Sequence, residues 1–95
     1  MTNIYILKLK HNKYYIGKTN DIDSRIEEHL DSYGSKWTKM YKPIELIKVH
    51  KQKDNFDEDK YTLEYMKKYG IDNVRGGSFT QINLNEAQLS TIKNM

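Results

Sequence analysis

Asn3-Ile4-Tyr5-Ile6-Leu7-Lys8-Leu9-Lys10, followed after His11-Asn12-Lys13 by Tyr14-Tyr15-Ile16-Gly17, decides the fold of this chain. The first segment alternates in its second half, with Ile6, Lys8 and Lys10 against Leu7 and Leu9, as a half-buried strand does. His11-Asn12-Lys13 is polar and short enough for a hairpin turn. Tyr14, Tyr15 and Ile16 resume with aromatic and β-branched residues, and Gly17 closes the second strand. An antiparallel hairpin is therefore expected at the start of the chain.

Working outward, Thr19-Asn20-Asp21 offers capping oxygens ahead of Ile22, Ile26 and Leu30, which share one helical face. A helix from about Asp21 to Asp31 follows, stopping before Tyr33-Gly34. Ser35 to Lys42 reads as a basic, aromatic loop, and Ile44 to Val49 as a third strand. Asp57-Glu58-Asp59 puts acids at the positive end of a second helix, with Lys67-Lys68 at its negative end and Gly70 as its stop. Ile71 to Gly77 is a glycine-ended loop or a short extended piece. A last helix over about 84–93 has Asn85 as its cap and Leu84, Leu89 and Ile92 as apolar anchors. The order β-β-α-β-α-α predicts one α+β domain over residues 1–95, with a small three-stranded, antiparallel-type sheet flanked by helices.

With 95 residues the chain has room for a single core. It contains no cysteine, which excludes disulfides and cysteine-held zinc. No apolar run approaches the roughly 20 residues of a membrane span, and Met1-Thr2-Asn3 does not read as a secretory signal. The expected location is intracellular, in cytoplasm or nucleus, with a virus-encoded origin among the options. A net charge of +3 permits a nucleic-acid partner without requiring one.

Asn3-Ile4-Tyr5 is followed by Tyr15-Ile16-Gly17 on the neighbouring strand, and Arg25 and His29 then lie four apart on one helical face. In these motifs, over residues 1 to about 77, the chain resembles the GIY-YIG nuclease family. Asn3 replaces the usual glycine of the first motif, while Tyr15-Ile16-Gly17 matches the second in full. Arg25 holds the place of the family's arginine, and His29 that of a histidine found in many members. The resemblance puts the family's metal-binding glutamate at Glu64, within Leu63-Glu64-Tyr65. Asn73-Val74 is similar to a downstream Asn-aliphatic pair that lends a polar group near the site in some members.

The resemblance implies an endonuclease that hydrolyses DNA phosphodiester bonds with one divalent ion, Mg²⁺ or Mn²⁺, and tyrosine-assisted activation of water. Such hydrolysis needs an activated water, charge stabilisation on the phosphate and help for the leaving oxygen. Glu64 offers a hard carboxylate oxygen for the ion. Arg25 can fork onto phosphate oxygens as negative charge grows there. Tyr5 is implied as the general base. Because a phenol has an ordinary pKa of about 10, Lys18 and His29 are expected to lower it or to relay its proton. Tyr15 positions the attacking water or orients Tyr5. Lys36, Trp37 and Lys39, with Lys18 and Asn73, are candidates for contact with DNA, Trp37 being alternatively a core residue beneath a charged loop. The compact form suggests recognition of DNA structure, such as flaps, nicks or junctions, or specificity supplied by a targeting partner or a further C-terminal domain. The alternative is a catalytically inactive nucleic-acid-binding module on the same fold.

Overall fold

The computed structural model of this protein describes residues 1–30 and 34–94. The hairpin is present as β1 (Asn3–Leu9) and β2 (Lys13–Thr19), antiparallel, with Tyr5 opposite Gly17 and Leu7 opposite Tyr15. A tight turn over Lys10–Asn12 joins them, with His11 and Asn12 in the left-handed region at φ 64° and 58°. Asparagine tolerates that region better than most residues, whereas nothing in the turn explains the choice of histidine. β2 runs on past Gly17 to Thr19 rather than closing there.

Four more main elements follow the hairpin before the last strand and helix. They are α1 (Ile22–Leu30), α2 (Lys36–Met40), β3 (Pro43–Lys51) and α3 (Asp57–Tyr69). Asp31 and Tyr33, where α1 was expected to end, lie outside the described residues. The expected loop after Ser35 is instead the short helix α2. The Ser35 side chain accepts from the backbone N–H of Thr38 and so starts a turn that propensity alone would not hold. α3 matches its expected limits, ending at Gly70, whose N–H donates to the Met66 carbonyl.

The three-stranded expectation is corrected to a mixed four-stranded sheet in the order β3-β1-β2-β4. β4 (Val74–Gly76) pairs parallel to β2, with Val74 beside Tyr14 and Gly76 beside Ile16. Three residues ending in glycine carry no readable alternation, so this strand exists only through its neighbour. β1 is consequently central and buried on both faces, not half-buried. Ile4 and Ile6 join Tyr14, Ile16, Met66 and Val74 under α3, while Tyr5, Leu7, Leu9 and Tyr15 join Trp37 under α1 and α2. α4 (Glu86–Lys93) carries the expected cap, with Asn85 and Gln88 exchanging side-chain-to-backbone hydrogen bonds, and buries Ile92 on the α3 side. Among the described residues no helix is long and apolar enough to cross a membrane.

Arg75, in the middle of β4, is 4% exposed and ties the following loop to the sheet. Its guanidinium donates to the carbonyls of Ile71, Val74, Gln81 and Ile82 and lies 4.7 Å from the Trp37 ring centre. Burial lowers its pKa, yet an arginine stays charged under such a shift. Arg75→Ala would strand several carbonyls without donors. The expected cost is about 3 kcal/mol, read as a lower urea midpoint at unchanged slope.

Candidate active site

The hairpin register places Tyr5 across from Gly17, and the Tyr5 ring lies over that glycine. A side chain at Gly17 would overlap the phenol hydroxyl, so the glycine of Tyr15-Ile16-Gly17 is what admits the tyrosine of the other strand. The two phenols share one sheet face, their ring centres 6.3 Å apart. α1 crosses this face on Ile22 and Ile26 and so delivers Arg25 and His29 to the same point.

Tyr5 Oη is 2.8 Å from His29 Nε2 and accepts from Arg25 Nε at 3.2 Å. The imidazole meets Tyr5 and Tyr15 edge-on, with ring centres at 5.7 and 5.3 Å. Its other nitrogen, Nδ1, is 3.0 Å from Thr38 Oγ1 on α2. Arg25 pairs outward with Glu28 at 2.6 Å. Four of the five expected catalytic residues therefore stand together: Tyr5, Tyr15, Arg25 and His29.

Burial dominates their acid–base character. It pushes the Tyr5 phenol well above its ordinary range, with Tyr15 adding to the rise and Arg25 opposing it. Tyr15 is raised by burial too, with Arg25 opposing and Glu58 adding. The expectation that nearby cations lower Tyr5 is thus reversed, because desolvation of a phenolate outweighs one guanidinium. His29 is pushed down to about 4, first by burial and then by the Arg25 charge, so it is neutral at physiological pH.

This has a consequence for stability. His29 in the folded state binds fewer protons than in the unfolded state between its folded pKa of about 4 and its ordinary 6.5. Stability should therefore be fully present above that window and fall with pH through it, by about 3 kcal/mol in all. Urea unfolding at pH 7, 5.5 and 4 checks the slope, and His29→Gln should remove it.

Glu64, the expected metal ligand, is not part of this group. It is exposed and lines the cleft between α3 and α4 with Leu63, Lys67 and Lys93. Two residues past the fully buried Thr62, it points about 200° round the helix from the side that faces the sheet. The carboxylate whose charge reaches both phenols belongs to Glu58, in the first turn of α3 and in line with Thr62 and Met66 at helical spacing. Glu58 is half-buried, its pKa raised by burial against the pull of Lys18. The sequence presents it only as a complement to the helix dipole, whereas the spacing 58, 62, 66 puts it on the stripe of the buried Thr62 and Met66.

The expected DNA contacts divide. Lys18, Lys36 and Lys39 are exposed. Trp37 is 2% exposed, its indole donating to the Tyr14 carbonyl, so it belongs to the core and presents no stacking face. Asn73 bridges the Tyr69 carbonyl and Lys13 at the start of β2, away from the Gly17 end where the phenols meet. Among the described residues no group of three or more acids and histidines gathers as a metal cage. The donor set still fits an ion that needs few protein ligands. Glu58 supplies one hard oxygen and forms no ion pair among the described residues, and Mg²⁺ keeps several waters while taking phosphate oxygens.

The family model of the GIY-YIG catalytic domain matches residues 1–72. UPF0213 protein YazA of Bacillus subtilis is 46% identical over 43 residues, covering 45% of this chain and 43% of that protein. UPF0213 protein XAC3202 of Xanthomonas axonopodis pv. citri is 31% identical over 52 residues, or 55% of this chain and 51% of the relative. The chain thus spans about half the length of these two relatives. A longer match, 29% identical over 93 residues, joins it to UPF0213 protein BH0048 of Halalkalibacterium halodurans, covering 93% of this chain and 95% of the relative. No solved structure matches it significantly. With paired tyrosines, arginine and histidine inside the matched region, the chain belongs to the GIY-YIG family, whose catalytic domains are generally endonucleases acting on DNA.

Proposed function

We propose that this protein is a divalent-ion-dependent DNA endonuclease in which Tyr5 and His29 activate water and Glu58, rather than Glu64, holds the ion. The observation that carries the reading is the hydrogen-bonded set of half-buried Arg25 with buried Tyr5 and His29, with Tyr15 packed against both rings. A structural tyrosine needs one hydrogen-bond partner, whereas this phenol has a cationic donor on one side and a neutral imidazole on the other.

The raised pKa means that Tyr5 waits as a phenol, not as a phenolate. Its work is to pass a proton on. As water attacks phosphorus, one water proton moves to Tyr5 Oη and the Tyr5 proton moves to His29 Nε2, leaving an imidazolium. Arg25 now pairs with the exposed carboxylate of Glu28 and can exchange it for the phosphate, stabilising charge there and opening the way to the hydroxyl it covers. Tyr15 fixes the His29 ring and the approach of the water. An ion held at Glu58 supplies Lewis-acid stabilisation of the phosphate and of the leaving oxygen. Lys18, beside Glu58, and the exposed Lys36 and Lys39 supply phosphate contacts along the same side.

The preferred DNA is proposed to be a branched or interrupted form, because a compact domain offers few positions for reading a long site. The test is the ratio of cleavage rates on labelled flap, nicked, four-way-junction and plain duplex DNA of one sequence. At least about tenfold preference for an interrupted form is expected, the equivalent of 1.4 kcal/mol in transition-state binding. Equal rates on all four would remove the structural selectivity.

A further inference from the structure

We infer that Thr38 is a positioning residue for the reaction, holding His29 in the tautomer that leaves Nε2 bare to receive the Tyr5 proton. The inference rests on the nuclease reading for its consequence but not for its geometry.

The hydrogen bonds run in one chain, and the Tyr5 hydroxyl, whose proton needs an acceptor, sets their direction. At one end Arg25 Nε can only donate, so Tyr5 Oη accepts at 3.2 Å. At the other end the Ser35 carbonyl can only accept, and Thr38 Oγ1 donates to it at 3.0 Å. With its proton committed there, Thr38 Oγ1 accepts from His29 Nδ1–H at 3.0 Å. Nε2 is then the unprotonated nitrogen, and the Tyr5 hydroxyl donates to it at 2.8 Å. The opposite tautomer would have Thr38 donate to Nδ1 and Nε2–H donate to Tyr5. It would leave the Tyr5 hydroxyl proton without an acceptor, while the Ser35 carbonyl would keep the Lys39 backbone N–H at 3.0 Å. The arrangement with every group satisfied wins, because unpaired polar groups are costly where Thr38 and His29 are each 2% exposed.

Two further observations belong to the same device. The Ser35 hydroxyl accepts the Thr38 backbone N–H at 3.2 Å, so the turn that starts α2 also aims the Thr38 side chain. Gly34 packs directly on the link, and a side chain there would overlap both His29 Nδ1 and Thr38 Oγ1. α2, which the sequence presents as a basic loop, therefore has a task beyond carrying lysines. It supplies the group that orients the base.

The test begins with the unmodified protein and needs no cleavage. Long-range ¹H–¹⁵N spectra of the histidine rings at pH 7 report which His29 nitrogen bears the proton. Protonated Nδ1 with bare Nε2 is expected, and protonated Nε2 would overturn the inference. Thr38→Val, which keeps the shape and removes the hydroxyl, should then give a mixed or reversed tautomer. It should lower kcat about ten- to hundredfold, the range seen when a metal-ligating histidine loses its orienting partner, with KM little changed. Thr38→Ser should restore both the spectrum and the rate. An unchanged spectrum in folded Thr38→Val would refute the role of Thr38. The expected tautomer in a protein that cuts no DNA would sink the nuclease reading while leaving the hydrogen-bond chain intact.

Discussion

Glu58→Gln is expected to lower ion-dependent cleavage of DNA by about a thousandfold, the scale of losing the group that fixes a catalytic ion. The substitution keeps the size of the side chain and removes only the charge, so the fold should survive. Glu64→Gln, six residues along the same helix, should cut within about threefold of the unmodified protein. The contrast follows from helix geometry. Glu58 shares the stripe of Thr62 and Met66 that faces the sheet, and its charge acts on both phenols. Glu64 looks into the cleft under α4. Steady-state rates of the two variants in Mg²⁺, with circular dichroism as a control for folding, check the assignment. The reverse result, activity lost at 64 and kept at 58, would return the ion to the cleft between α3 and α4.

Tyr5→Phe should lower kcat by about a thousandfold, within the usual range for a positioned proton-transfer group. Unlike a surface tyrosine, this one is 1% exposed and bonded to both Arg25 and His29. Its loss should therefore also cost about 1–2 kcal/mol of stability, because the buried His29 and the half-buried Arg25 lose their mate. Assaying well below the unfolding temperature separates the effects. DNA affinity should stay nearly constant, since Arg25 and the exposed lysines remain. Cleavage undiminished in Tyr5→Phe would exclude it from proton transfer.

The parts of this protein that could be read directly from sequence are those specified locally. The hairpin follows from alternation and a polar turn, and α3 from acids at its start and glycine at its end. The hairpin makes a meeting of Tyr5 and Tyr15 plausible, but only the register, with Tyr5 opposite Gly17, puts both phenols on one face. The remaining parts are decided by contacts far along the chain. β4 exists because β2 lies beside it, and its three residues hold no pattern of their own. The burial of Trp37 depends on Arg75 and the Tyr14 carbonyl, neither of which its neighbours Lys36 and Lys39 foretell. Glu58 carries no motif that marks it, because short motifs give residue types, while the side of the helix is given only by the spacing of buried residues such as Thr62 and Met66. The sign of the Tyr5 shift also depends on burial, and no count of nearby cations would reveal it.

The most direct measurement is cleavage of end-labelled flap and junction DNA by the purified protein in Mg²⁺, in Mn²⁺ and in EDTA, beside Tyr5→Phe and Glu58→Gln. The account predicts cutting in at least one of the two ions, none in EDTA, and nearly none in either variant. Cleavage in EDTA at the full rate, or DNA binding by the intact protein without any cutting under all three conditions, would contradict it.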